Sequence, residues 1–162
     1  MFYFEELPDE ILLDLFENYI RLIDVYLGFY LTHNHRIVTI LKSARFCIDI
    51  PSKDIYHAVT FAQFGSQIIS LNLSVFCKDL DLSKLVNLQF LCIKKPTQTQ
   101  LLSIESKVLP NLQTLSLYPC WYHMNELPDH LIHMEKSCSF QHLRRCVLPD
   151  KKILRFPLKC QS

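Results

Sequence analysis

The residues of this chain that are best suited to chemistry are its cysteines and histidines, seven of each. Structural zinc sites usually hold the metal with close pairs of such ligands at characteristic spacing. The chain has no C-x-x-C pair, so buried thiols and surface histidines explain these residues better, and a zinc-binding domain is the less favoured alternative. The stretch concerned contains Cys120, His123, His130, His133, Cys138, His142 and Cys146.

Catalysis by a cysteine nucleophile would require a histidine and a third group to orient it. No recognisable signature surrounds any of the seven cysteines. The carboxylates Glu5, Glu6, Asp9 and Glu10 are explained more simply as charges at the start of a helix than as an acid–base pair. We therefore expect a protein that is not an enzyme, with no catalytic residue, no cofactor and no bound metal.

Composition narrows the class of protein further. Two glycines, Gly28 and Gly65, are too few for a P-loop or a dinucleotide-binding fingerprint. A net charge of +1 gives no electrostatic basis for nucleic-acid binding, and no apolar run is long enough to predict a membrane span. An odd number of cysteines without a secretory signal predicts reduced thiols, and hence a cytoplasmic or nuclear protein.

A strongly apolar helix is predicted near the N-terminus, from Pro8 to about Asn18. Pro8 suits the first helical position, and the two acidic residues after it face the positive end of the helix dipole. Asp24 is predicted to cap a second helix and Asn34 a third. The first helix has more apolar surface than a hairpin of short helices can cover, so we expect another protein to cover it. Its apolar residues at helical spacing are Ile11, Leu12, Leu15, Phe16 and Tyr19, with Leu7 and Leu13 beside them.

The sequence after residue 45 is a series of short alternating segments, which predict strands. Their anchor residues recur at intervals of 23, 20, 24 and 31, a spacing typical of a solenoid. Thr97 and Gln100 form a predicted capping box for a helix between two strands, and Ser52 is predicted to cap another. The anchors are Ile48, Leu71, Leu91, Leu115 and Cys146.

The C-terminal part carries two further expectations. The longest interval contains an insertion, residues 118–138, which includes Trp121 and whose role the sequence does not indicate. Residues 151–156 are a candidate closing strand; otherwise the array lacks a cap, as a fragment or a truncated gene model would.

Residues 4 to about 43 resemble an F-box, the three-helix module that binds a Skp-type adaptor in cullin-based ubiquitin ligases. One extra residue near Asn18 and the lack of a tryptophan in the third helix depart from the family pattern. The later segments resemble leucine-rich repeats. They lack a clear asparagine at the position where that family usually has one, so the resemblance is to repeats of degenerate sequence. The F-box resemblance rests on Leu7-Pro8-Asp9-Glu10-Ile11-Leu12, Phe16, Tyr19-Ile20, Asp24-Val25 and Arg36-Ile37, and that of the repeats on Leu85–Ile93, Leu109–Leu117 and, more loosely, Phe140–Leu148.

These resemblances imply an α/β protein with an F-box at 1–45 and a short, irregular leucine-rich-repeat solenoid with parallel strands at 46–162. They imply a substrate receptor of a Skp–cullin–F-box ubiquitin ligase, which binds the adaptor, through it cullin, and an unknown target protein, but no nucleic acid and no membrane. The alternative is a non-catalytic scaffold that uses the F-box without ubiquitin transfer. The implied adaptor-binding residues are Leu7, Pro8, Ile11, Leu12, Leu15, Phe16, Ile20 and Val25.

Overall fold

A computed structural model describes residues 4–30, 34–50, 57–74, 81–94, 96–105, 107–118, 142–147 and 153–155. The fold is mixed α/β, with a helical N-terminal region followed by an open sheet. Each strand of the sheet lies next to the strand that follows it in the chain, so neighbours in sequence are neighbours in space.

The N-terminal region contains three α-helices, α1 (Asp9–Asn18), α2 (Leu22–Val25) and α3 (His35–Ser43). A 3-10 turn at Phe4–Glu6 precedes them, and a π-helical segment, Tyr26–Tyr30, continues α2. The Asn34 side chain accepts a hydrogen bond from the Ile37 N–H at 3.2 Å, which confirms the predicted cap of α3. The cap predicted for α2 is wrong, because Arg21 is the N-cap and Asp24 lies inside the first turn.

Five strands of the described segments run parallel: β1 (Phe46–Ile50), β2 (Ile68–Leu73), β3 (Phe90–Lys94), β4 (Thr114–Tyr118) and β5 (Arg145–Val147). A sixth, β6 (Ile153–Arg155), pairs antiparallel with β5, so the candidate closing strand is confirmed. The five anchor residues predicted from the intervals pair with one another in a single row across the sheet. The predicted parallel strands and their register are therefore confirmed.

Among the described residues, two α-helices lie between strands in the chain, α4 (His57–Phe64) and α5 (Gln98–Ser103). The capping box of α5 is confirmed: the Thr97 hydroxyl accepts from the Gln100 N–H, and the Gln100 carboxamide oxygen accepts from the Thr97 N–H. Ser52, the predicted cap of the preceding helix, lies outside the described residues.

The side chains of Asn87 and Asn111 form hydrogen bonds between the turns that precede successive strands. The Asn87 amide donates to the Ser66 carbonyl at 2.7 Å, and the Asn111 amide donates to the Val86 carbonyl at 3.0 Å. Both residues stand three positions before the first residue of a strand. Each amide satisfies a carbonyl of the preceding turn that the sheet leaves without a partner.

The helical region and the sheet share one hydrophobic core, which extends from Leu12 to Cys146. The buried Gln67 side chain, just before β2, donates to the carbonyls of Leu41 and Ala44 at the end of α3. The Arg45 N–H donates to the Glu17 carboxylate of α1 at 2.6 Å. These bonds join the two regions directly, without an intervening linker.

Candidate docking surfaces

Helix α1 divides its apolar residues between two faces. Leu12 and Phe16 are fully buried, whereas Ile11 is 49% exposed and Tyr19, the residue that ends the helix, is 75% exposed. Successive residues of an α-helix are about 100° apart, so Ile11 and Leu12 point in clearly different directions. The pattern that the sequence presents as one stripe is therefore two adjacent stripes in the folded chain.

The inner stripe is sealed by aromatic residues from other elements. The Phe16 ring lies 6.0 Å from the Phe4 ring and 5.2 Å from the Phe29 ring, and these two rings stack on each other at 4.9 Å between centroids. Val25 is also fully buried. Leu12, Phe16 and Val25 are named above as adaptor contacts; in this fold their side chains are enclosed by the chain itself and offer no surface to a partner.

The other five residues named as adaptor contacts retain accessible surface. Leu7 and Ile20 are half-buried and pack against the core, so they support the helices as well as bordering solvent. Pro8 and Ile11 are exposed and Leu15 is half-buried. With Tyr19 they follow the spacing of one helical face. We call this face the outer stripe; it consists of Pro8, Ile11, Leu15 and Tyr19.

Polar contacts at both ends hold α1 in place. The Arg36 guanidinium of α3 donates to the Asp9 carboxylate at 2.9 Å and to the Leu7 carbonyl at 2.6 Å. At the other end the Glu17 carboxylate accepts the Arg45 N–H, as described above. The exposed ion pair adds little stability by itself, but the bonds to backbone groups fix the position of the helix. The outer stripe is therefore presented on a helix that is anchored at both ends.

A second candidate surface is the outward face of the parallel sheet. Side chains alternate along each strand, so the residues between the buried leucines face away from the core. Phe90 is 42% exposed and Tyr118 is 49% exposed, although large apolar side chains of a sheet are usually covered. Between them lies a row of smaller or half-buried residues, Asn72, Cys92, Ser116 and Val147, which the strand register places side by side.

Charge is distributed unevenly over this face. Lys94 ends β3 and Arg145 begins β5, and both side chains are exposed; β3, β4 and β5 contain no carboxylate. Asp49, on β1, is the acidic residue of the described strands. Burial raises the pKa of the Cys92 thiol, against the opposing effect of the Lys94 ammonium, so this thiol is protonated and neutral at physiological pH. The Asn72 Oδ1 atom is buried and accepts no hydrogen bond from the described residues.

The cysteine–histidine stretch does not form a metal site within the described part of the chain, where no three potential ligands lie together. Cys146 is fully buried at its inward anchor position, and burial raises the pKa of its thiol to about 11. His142 is exposed. Cys120, His123, His130, His133 and Cys138 lie outside the described residues, as does most of the insertion at 118–138.

None of the described helices is long and apolar enough to span a membrane. No protein-family model, no curated protein and no solved structure matches the chain.

Proposed function

We propose that this chain is a substrate receptor of a Skp–cullin–F-box ubiquitin ligase. Residues 4–43 act as the F-box that binds the Skp-type adaptor, and the strand region acts as a short leucine-rich-repeat solenoid that holds a target protein. The observation that carries the proposal is the outer stripe of α1, an apolar helical face that the chain's own core leaves uncovered while the inner stripe beside it is sealed.

The chemistry of the outer stripe suits docking of another protein. Apolar residues at helical spacing on an anchored helix are a common way of binding an apolar groove. Burying apolar surface contributes about 25 cal/mol per Å², so covering an isoleucine and a tyrosine would supply several tenths to a few kcal/mol each. The leucine-proline start of the helix and its three-helix setting favour a Skp-type adaptor as the partner.

The strand region supports the second half of the proposal. Five parallel strands in sequential order, repeated backbone bonds between successive turns and two ladder asparagines are features expected of a solenoid. Such arrays bind partners through their extended strand face. An adaptor-binding unit joined rigidly to a recognition surface is the arrangement that a substrate receptor requires.

The proposed mechanism is proximity. The protein forms no bond itself; it holds a target so that a ubiquitin-charged enzyme elsewhere in the assembly meets a target lysine at high effective concentration. The direct bonds between the helical region and the sheet serve this purpose, because a rigid receptor fixes the distance between adaptor and target.

The test uses the purified chain, a purified Skp-type adaptor and isothermal titration calorimetry. Ile11→Glu places a charge in the outer stripe and should weaken adaptor binding at least a hundredfold. Leu102→Glu is the matched control, because Leu102 is similarly exposed, at 52%, but belongs to α5. It should bind as the unaltered chain does. Equal binding by both variants, or no binding by the unaltered chain, would refute the docking proposal.

A second measurement tests the ubiquitin step and separates a receptor from a scaffold. Cullin should co-purify with the unaltered chain and not with Ile11→Glu, and at least one protein should accumulate in cells when this chain is depleted. Recovery of cullin without accumulation of any protein would favour a scaffold that binds the adaptor without delivering targets.

A further inference from the structure

The strand register arranges the side chains of the outward sheet face in three rows, and we call the surface that these rows form over β2–β5 the trough. Its floor is the row formed by Asn72, Cys92, Ser116 and Val147. Phe90 stands on one side of the floor, and Lys94 and Tyr118, which are partners in the strand register, stand on the other. Phe90 and Lys94 are four residues apart on β3, about 13 Å at the usual rise of a strand. This width accommodates one extended polypeptide that crosses the strands.

The two ends of the trough differ in charge. Arg145 stands in the same row as Phe90, at the β5 end, while Asp49 lies in the floor row at the β1 end. Neither Lys94 nor Arg145 forms an ion pair with a described residue. Within the described part of the chain, Lys94 has one polar contact, a 3.3 Å hydrogen bond from its Nζ to the Ser74 hydroxyl. The β3–β5 part of the trough is therefore cationic and electrostatically uncompensated by its own strands.

We propose that the trough over β3–β5 binds an extended acidic segment of a partner protein, with carboxylates beside Lys94 and Arg145 and apolar side chains against Phe90 and Tyr118. The inference rests on the proposed function, because it specifies the chemistry of the target that the receptor holds. From β2 to β5 the trough spans about 14 Å, which corresponds to four or five residues of an extended chain.

Electrostatics and side-chain type both favour a peptide as the occupant. Exposed tyrosine and arginine are residue types that often dominate binding energy at protein interfaces. A nucleic acid would need more phosphate contacts than two cations supply, and the chain as a whole carries a net charge of only +1. The neutral Cys92 thiol and the Ser116 hydroxyl place no charge under the segment.

The experiment selects peptides from a displayed library of random heptapeptides on the full 162-residue chain, without the adaptor. The selected sequences should be enriched in Asp and Glu together with apolar residues. A selected peptide is then synthesised with a fluorescein label, and its affinity is measured by fluorescence anisotropy. Lys94→Glu combined with Arg145→Glu should weaken binding at least tenfold, and so should raising the salt concentration from 50 to 500 mM.

The control for the position of the charge is Lys84→Glu, a single charge reversal at an exposed lysine away from the trough, to be compared also with Lys94→Glu alone. Lys84 packs beside Gly65 at the end of α4, where a Cβ added to Gly65 would be 2.9 Å from the Lys84 Cβ. This variant should retain full affinity. Circular dichroism melting curves of both variants establish that each is folded. Phe90→Ala provides a charge-neutral test of the same trough and should weaken binding three- to tenfold.

Three outcomes would overturn the inference: selection without acidic enrichment, equal binding by the charge-reversed and control variants, or binding of labelled oligouridylate as tight as that of the peptide and equally sensitive to charge reversal. The last outcome would indicate a general polyanion surface. Ile11→Glu should leave peptide binding unchanged, so failure of adaptor docking and failure of the trough are distinguished by separate measurements.

Discussion

The helical region and the strand region differ in how many of their apolar residues are buried. In the strands, alternate residues such as Leu91 and Ile93 are buried, and the residues between them face outward. In α1, apolar residues occupy both a sealed inner stripe and an open outer stripe. The outward side chains of the strands are mostly polar or half-buried, with Phe90 and Tyr118 as large exposed exceptions. Helix α1 instead exposes apolar residues along a whole face, more than the chain's own core covers. An excess of this kind on a rigid helix is typical of a surface that another protein covers.

The largest expected effect comes from comparing the two stripes of α1. Phe16→Ala should lower the free energy of unfolding by about 3–5 kcal/mol, because it removes the centre of the aromatic cluster and leaves a cavity. Ile11→Ala, on the outer stripe, should change it by less than about 1 kcal/mol. Urea denaturation measures both values. Equal losses would show that the outer stripe belongs to the core after all.

The junction between the two regions is the next target. Gln67→Leu removes the buried donor to the Leu41 and Ala44 carbonyls and should cost about 1–3 kcal/mol of unfolding free energy. The matched change Gln98→Leu, at an exposed position of α5, should have little effect. Because the core is continuous, the helical and strand regions of both variants should unfold in one transition. Two separate transitions in calorimetry would contradict a shared core.

The hydrogen bonds that Asn87 and Asn111 form between turns should contribute less to the free energy of unfolding. Asn111→Ala removes the bond to the Val86 carbonyl and should reduce the free energy of unfolding by about 1 kcal/mol. Asn18→Ala removes only an exposed bond to Asp14 on α1 and should cost less than half as much. Thermal denaturation of the two variants compares a bond between turns with a bond within one helix. A larger loss for Asn18→Ala would argue against the ladder.

The smallest effect concerns the buried thiol of β5. Because burial raises the pKa of Cys146 to about 11, the folded state prefers the protonated thiol, and stability should fall as pH rises from about 9 to 11, where the unfolded chain loses this proton first. Cys146→Ala should show less of this decline. Alkylation at pH 8, followed by peptide mass spectrometry, should label the exposed Cys47 first and Cys146 only after denaturation. Early labelling of Cys146 would contradict its burial.

Much of the strand region was predictable from local pattern. The anchor residues identified the parallel strands and their register, because alternation along a strand and a repeat length of about 23 are both visible in the chain itself. The caps at Asn34 and Thr97 were equally predictable, since the side chain and the N–H that it accepts are three residues apart. The ladder of Asn87 and Asn111 was missed because its acceptors lie in the preceding turn of the array, more than 20 residues away.

The helical region shows where local pattern was insufficient. Asp24 has the residue type of a cap, but the turn that follows α1 places Arg21 in that position. The apolar residues of α1 would allow the helix to pack with either of two faces toward the core. Nothing within residues 8–19 indicates that Leu12 is buried and Ile11 exposed. The rings of Phe4 and Phe29 determine which face is buried, because they come from outside the helix and pack against Phe16.

The sequence by itself determined the α/β class, the strand segments and their spacing, and the apolar character of the first helix. Each of these follows from residue types a few positions apart. Only the tertiary structure decided which face of α1 is buried and which face remains exposed, and which side chains lie on the outward face of the sheet. The physical reason is that burial depends on what packs against a residue, and the groups that pack there come from elements distant in the chain.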